Sequence, residues 1–163
     1  MNLLIVGAGG HGQVVSEIAI DLGYDRIEFL DDNYQDAIGR ISDIDKHADD
    51  FEFAFVAIGN NVIRNALIEK IYQCGYTIPT LIHPTAYVGK SATIGKGTVV
   101  APMATINANT TVGIGCIISA AAVIDHNAVI GDCVHIDAGA IVKSGGAVAA
   151  LTKIDAGQIV SGY

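Results

Sequence analysis

Apolar and polar positions in the second half of the chain repeat with a single period. Every sixth residue from Ile82 onward is Ile or Val: Ile82, Val88, Ile94, Val100, Ile106, Val112, Ile118, Ile124, Ile130, Ile136, Val142, Val148, Ile154 and Val160. Four residues after each, the side chain is mostly small, as at Ala86, Ala92, Thr98, Ala104, Thr110, Cys116, Ala122, Ala128 and Ala140. A period of six is neither the 3.6 of a helix nor the alternation of a plain strand. It is the hexapeptide pattern of a parallel β-helix. Each hexad supplies one short strand and one turn, and three hexads close a triangular coil of about eighteen residues, with coils stacked at the ~4.7 Å strand spacing. The branched residue fills the interior and the small one leaves room for it. Residues eighteen apart then stand over one another, which predicts the ladder Val88, Ile106, Ile124, Val142 and Val160. A meandering sandwich would not hold so constant a spacing.

The first eighty residues alternate differently. Asn2–Val6 reads as a buried strand, followed by the loop Gly7-Ala8-Gly9-Gly10-His11-Gly12 and a helix with Val14, Val15, Ile18 and Leu22 on one face, ending at Gly23. Arg26–Leu30 reads as a second strand ending in Asp31-Asp32, and Phe51–Ile58 as a third ending in Gly59-Asn60-Asn61. A helix through Ile63, Leu67, Ile68 and Ile71 follows, closed by Gly75, and Thr77–Ile82 leads as a strand into the repeat. Between Asn33 and Asp50 the pattern is weak, with a short helix expected around Ile41–His47. Alternating strands and helices imply a small parallel sheet. The expected organisation is an α/β lobe over residues 1–81 and a β-helix over 82–163.

Composition narrows the partners. Half the chain is apolar, yet no uninterrupted apolar run reaches membrane-span length, and Leu3–Val6 is too short for a signal peptide. A cytoplasmic location is expected. The net charge of −8 argues against nucleic acid or an anionic membrane as partner. Cys74, Cys116 and Cys133 form no metal-type spacing, and Cys116 falls on a small interior position of the repeat.

Two stretches offer chemistry. The glycine loop fits G-x-G-x-x-G, with acidic residues some twenty positions on, and such a loop lets backbone N–H groups approach phosphate at a helix N-terminus. The same spacing also serves a plain strand–helix turn. Eighty residues make one mononucleotide half, too little for a complete dinucleotide fold, whereas a nucleotide-sugar diphosphate needs only that half. Among five histidines, His126 occupies a hexad position that projects outward, between Asp125 and Asn127. An outward imidazole on a rigid strand beside a carboxylate suits a general base. His47 lies in the polar connection, and His83 precedes Pro84 at the domain junction.

The words GAGGHG (7–12), FLDDN (29–33), AIGNN (57–61), LIHP (81–84) and VIDHNAVIGDCVHI (123–136) carry a family resemblance. The chain resembles the bacterial hexapeptide-repeat acyltransferases of the sialic acid O-acetyltransferase and UDP-amino-sugar (bacillosamine-type) N-acetyltransferase kind. The resemblance implies a left-handed β-helix, an exception to the usual right-handed crossover. It implies acetyl-CoA as co-substrate and no metal, with a UDP-sugar or sialic-acid-like acceptor, and a homotrimer that holds CoA between adjacent β-helices. It places Gly9, Gly10, His11, Asp31, Asp32 and Gly59 at the nucleotide-sugar site, His126 as the catalytic base and His135 against acetyl-CoA. Many relatives have a carboxylate directly after the base, where this chain has Asn127, so Asn127 and Asp125 are both candidates for orienting the ring. The hexad also runs to Tyr163 without the further glycine-rich turns and basic segment expected around CoA, so no CoA-binding glycine is assigned. The acceptor atom, nitrogen or oxygen, stays open. So do three alternatives: a non-catalytic nucleotide-sugar-binding or assembly protein of the same fold, a γ-class carbonic anhydrase, which needs three zinc-binding histidines, and a nicotinamide enzyme.

Overall fold

The computed structural model describes residues 1–163 and divides into two units, Met1–Pro79 and Thr80–Tyr163. In the first unit a three-stranded parallel sheet has the order β2-β1-β3, with β1 at Asn2–Val6, β2 at Arg26–Leu30 and β3 at Phe53–Val56. The central strand carries Leu3, Leu4, Ile5 and Val6, all fully buried, as a strand covered on both faces requires. Helix α1 spans Gly10–Asp21 and buries Gly12, Val15, Ile18 and Ala19. Val14, expected on the core face, is 43% exposed instead, because Val15 and Ala19 already fill the stripe. Helix α2 spans Asn61–Gln73 and buries Ile68 and Ile71 as expected, while Ile63 is 51% exposed and Arg64 takes its place inside. A 3₁₀ helix covers Ile41–His47. The strand expected over 77–82 is interrupted: Thr77 bridges to Phe53, and only Leu81–Ile82 pairs within the second unit.

That second unit is a parallel β-helix of two-residue strands, β4 (Leu81–Ile82) through β17 (Ile159–Val160). Between them lie β5 (Tyr87–Val88), β6 (Thr93–Ile94), β7 (Val99–Val100), β8 (Thr105–Ile106), β9 (Thr111–Val112), β10 (Ile117–Ile118), β11 (Val123–Ile124), β12 (Val129–Ile130), β13 (His135–Ile136), β14 (Ile141–Val142), β15 (Ala147–Val148) and β16 (Lys153–Ile154). Its three faces stack in the orders β4-β7-β10-β13-β16, β5-β8-β11-β14-β17 and β6-β9-β12-β15. Every pairing joins residues eighteen apart, and the expected ladder Val88, Ile106, Ile124, Val142, Val160 is present. Inside, the aliphatic stops pack with Ala104, Cys116, Ala122, Ala128, Val134 and Ala140. Two interior small positions are threonines that satisfy their hydroxyls on neighbouring coils, Thr98 to the Gly113 carbonyl and Thr110 to the Asp125 carbonyl, both at 2.9 Å.

A second period of six lies in the backbone. From residue 97 to 157, every sixth residue is left-handed: Gly97, Met103, Asn109, Gly115, Ala121, Asn127, Cys133, Gly139, Gly145, Leu151 and Gly157. These are the residues that turn the chain from one face of the coil to the next. Glycine and asparagine take that conformation most readily, whereas Met103, Ala121, Cys133 and Leu151 hold it at a cost.

Candidate active site

The carboxyl ends of β1, β2 and β3 bring the three expected loops to one edge of the sheet, where ligands of open α/β sheets sit. Gly7 has φ 104°, and a side chain there would stand 2.6 Å from Ile58 Cδ1. At Gly12 a Cβ would collide with the Gly7 carbonyl, so Gly12 lets α1 pack tightly on the end of β1, while Gly7 is required by its left-handed backbone and by the close approach of Ala57 and Ile58. Gly9, Gly10 and Gly59 differ. None has a positive φ, and a Cβ at any of them would meet nothing within 4 Å, so the protein's own packing does not require glycine there. Gly9 caps α1 without a side-chain acceptor and no acid lies in the first turn, which leaves that turn's amides facing outward. By contrast, α2 is closed by Asn60, whose Oδ1 accepts from Val62 and Ile63.

Asp31 ties two of these loops together. Its Oδ2 accepts from the Ala8 amide at 2.8 Å, and its Oδ1 accepts from Asn33 at 2.8 Å and Tyr34 at 3.1 Å. The bond from Ala8, then that from Asn33, hold its carboxyl below the usual range. Asp32 points elsewhere and accepts from the Ile41 amide at 3.1 Å, at the start of the 3₁₀ helix. An open cleft of about 360 Å³ is lined by Ala8, Gly9, Asp31, Asn33 and Tyr34. Asn33 and Tyr34 were not expected from the sequence, and neither was Arg64. Its buried guanidinium donates to the Ile58 and Gly59 carbonyls and to Asn61 Oδ1, and so shapes the third loop. Its neighbours in an amphipathic helix conceal that role. His11 sits in the first turn of α1.

In the β-helix, His126 is exposed at the corner between β11 and β12, in a turn rather than on a strand. The turn is braced from both adjacent coils. Asn127 donates its amide to the Ala108 carbonyl at 3.0 Å, and His126 accepts at its carbonyl from Gly145 at 3.0 Å. The Asp125 carboxylate accepts from the His126 backbone amide at 2.8 Å, from Asn107 Nδ2 at 2.9 Å and from Ser144 Oγ at 3.1 Å. Those donors, Asn107 first, hold its carboxyl below the usual range. Asp125 thus fixes the backbone of the turn, and it is Asn127 that reaches the ring, with Nδ2 3.0 Å from His126 Nδ1. Asn107 and Ser144 belong to the site only through the eighteen-residue stacking.

His135 lies on strand β13, mostly buried, with Nε2 3.2 Å from Ser119 Oγ and 3.8 Å from Asp137 Oδ1. Lys153, directly beneath it in the sheet, bridges Asp137 at 3.2 Å and Asp155 at 3.3 Å. His126 and His135 therefore occupy different structural settings, a corner and a face, and no three His, Cys, Asp or Glu side chains gather in a set that could hold a metal ion. No helix is long and apolar enough to cross a membrane.

Residues 2–71 match the family model of the PglD N-terminal domain. The acetyltransferase domain of PglB from Neisseria gonorrhoeae is 33% identical and superposes with a TM-score of 0.89, over 99% of this chain and 91% of that one. Its complex with acetyl coenzyme A is 34% identical with a TM-score of 0.86, over 96% and 88%. A variant of perosamine N-acetyltransferase from Caulobacter crescentus, in complex with CoA and GDP-perosamine, is 26% identical with a TM-score of 0.88, over 99% and 89%. UDP-N-acetylbacillosamine N-acetyltransferase from Bacillus subtilis is 36% identical over 110 residues, which is 61% of this chain but only 50% of that protein. The matched part thus spans half the length of that curated relative. With a lobe of PglD type joined to a β-helix that superposes along its whole length, the chain belongs to the PglD-like family of sugar N-acetyltransferases.

Proposed function

We propose that this chain transfers the acetyl group of acetyl-CoA to the amine of a nucleotide-linked amino sugar, with His126 as the general base. The observation that carries the reading is the setting of His126: an exposed imidazole on a turn braced by two neighbouring coils, with the Asn127 side chain against its Nδ1. A base must be held still and yet be reachable. An amine acceptor is favoured over a hydroxyl because the bacillosamine and perosamine relatives are named as N-acetyltransferases.

The sugar amine attacks the thioester carbonyl and His126 Nε2 takes the amine proton. The C–S bond then breaks and the CoA sulfur leaves as the thiol, with the imidazolium returning the proton. Backbone N–H groups of the coil meet the charge that develops on the carbonyl oxygen. The first unit holds the nucleotide: Gly9, Gly10 and Gly59 let phosphate approach the backbone, and the α1 amides supply donors to an anion that a chain of charge −8 does not otherwise attract. A uridine or guanosine diphosphate fits this chemistry equally, as the relatives' two sugars illustrate. His135 and Ser119 present polar groups for the acyl donor.

The working unit is a trimer packed through a β-helix face. The outward row Tyr87, Thr105, Val123, Ile141 and Ile159 runs the length of one face, with Tyr87 59% and Ile159 60% exposed, which suits self-association.

Incubation with acetyl-CoA and a panel of UDP- and GDP-linked amino sugars, alongside sialic acid, tests the reading by release of free thiol. Thiol release with an amino sugar and none with its already acetylated form is expected. Ligand binding without thiol release from any acceptor would identify a non-catalytic binder.

A further inference from the structure

We infer that Tyr163 is a positioning residue for His126: its hydroxyl donates to the Asn127 side chain, holds that amide with its oxygen toward Nδ1, and so fixes the imidazole in the Nδ1–H form. This rests on the proposed role of His126 as base and adds to it a residue that the family resemblance did not assign.

The geometry comes from the eighteen-residue stacking. Asn127, Gly145 and Tyr163 occupy the same corner position in three successive coils. The middle residue has no side chain, and the Tyr163 ring lies in the place where its Cβ would stand. Across that gap the Asn127 Nδ2 lies 3.1 Å from the Tyr163 hydroxyl, to which it donates as placed, and 3.0 Å from His126 Nδ1; a half-turn of the amide puts Oδ1 in the same position and reverses both bonds. Both partners of the amide can act as donor or acceptor.

Only two arrangements satisfy the trio. With the NH₂ turned toward both partners, Nδ1 must accept, the neutral ring carries its proton on Nε2, and the edge left for the acceptor sugar is a donor. With the carbonyl oxygen turned toward them, Nδ1–H and the phenol O–H both donate to it and Nε2 keeps its lone pair. Only the second arrangement provides a base. It is also the only one compatible with the imidazolium formed during turnover, whose Nδ1–H is an obligatory donor. A phenol donates more strongly than it accepts, because its oxygen lone pair is shared with the ring, and this tilts the amide toward the productive state. A carboxylate has no NH₂ face and needs no such help. Asparagine at 127 does, which gives Tyr163 its purpose.

The test reads the tautomer directly. In ¹⁵N-labelled protein at alkaline pH, long-range proton–nitrogen correlation distinguishes Nδ1–H from Nε2–H, and a His126→Gln sample identifies the signal among the five histidines. We expect His126 to be protonated on Nδ1 in the native chain. Tyr163→Phe, which keeps the ring on Gly145, should shift it toward Nε2–H. It should also lower kcat about 3- to 10-fold with KM unchanged, the worth of one hydrogen bond. Adding Asn127→Asp to Tyr163→Phe should restore the Nδ1–H form, a rescue that a merely structural tyrosine would not permit. A native ring protonated on Nε2, or a tautomer unmoved by Tyr163→Phe, overturns the proposal. A shifted tautomer together with near-normal turnover in His126→Ala would leave the Tyr163–Asn127 device standing and remove the base assignment instead.

Discussion

The Asp31 carboxylate stands 2.8 Å from the amide of Ala8 and so fastens the end of β2 to the glycine loop that follows β1. Asp31→Asn would turn an NH₂ toward either Ala8 or Asn33, whose amides are donors already. The expected result is a loss of about 1 kcal/mol of stability for this partly exposed cluster, weaker nucleotide-sugar binding and unchanged acetyl-CoA binding. Because the folded carboxyl titrates lower than the free one, its stabilisation is complete above the ordinary value of 3.8 and fades as pH falls through the lower folded value. Denaturation curves of the two proteins should therefore converge in strong acid. Equal loss of both ligands at neutral pH would mean that Asp31 serves the fold alone.

The glycines of the same loop separate packing from binding. Gly12→Ala places a methyl against the Gly7 carbonyl and should destabilise the lobe by about 1–3 kcal/mol through forced backbone movement. Gly10→Ala meets open space, and its melting temperature should match that of the native protein while nucleotide-sugar affinity falls. If Gly10→Ala binds normally, the first turn of α1 is not where phosphate rests.

Replacing the base removes chemistry and little else. His126→Ala should reduce kcat on the order of 10²–10⁴-fold, with both substrates still binding. Asp125→Asn keeps the shape of the side chain but presents an NH₂ to donors from Asn107, Ser144 or His126. It should lower kcat with a smaller change in KM, and circular dichroism should report an intact coil. Near-normal turnover in His126→Ala on the true acceptor would end the assignment, and His135 would be the next histidine to test.

Association should depend on the apolar outer row. Sedimentation at micromolar concentration is expected to show a trimer, and Ile141→Lys combined with Ile159→Lys should release monomers that keep their β signal. Both side chains point out of the coil, so the core is not asked to accommodate charge. A native monomer at that concentration would remove the trimer from the proposal.

Met103 is 68% exposed and left-handed at φ 63°, the conformation that Asn109 and Asn127 adopt at equivalent corners. Met103→Asn should relieve about 1 kcal/mol of backbone strain and raise the melting temperature by about 3 °C. A lower melting temperature would show that the methionine side chain makes a contact worth more than the strain.

What the residues determined unaided is the β-helix and its register. An interior too narrow for anything but one branched and one small side chain per hexad imposes its period on the sequence, so the stacking of Val88, Ile106, Ile124 and Val142 follows from their spacing alone. The parallel lobe was legible for the same reason, since strands buried on both faces read as apolar runs such as Leu3–Val6. Packing overrode the helical faces at single positions, admitting Arg64 and excluding Val14 and Ile63. Only the tertiary structure decided which polar groups meet. Asp31 with Ala8, Asp125 with Asn107 and Ser144, and Asn127 with Tyr163 lie 23, 18, 19 and 36 residues apart. The eighteen-residue register sets Asn107 beside Asp125 and Tyr163 two coils from Asn127, but it does not say which side chains bond, and no local pattern announces Asp31 with Ala8. The left-handed corners were hidden for a related reason. The backbone repeats there every six residues, but exposed corners tolerate methionine, alanine or leucine at a cost of about 1–2 kcal/mol each, which the buried ladder outweighs.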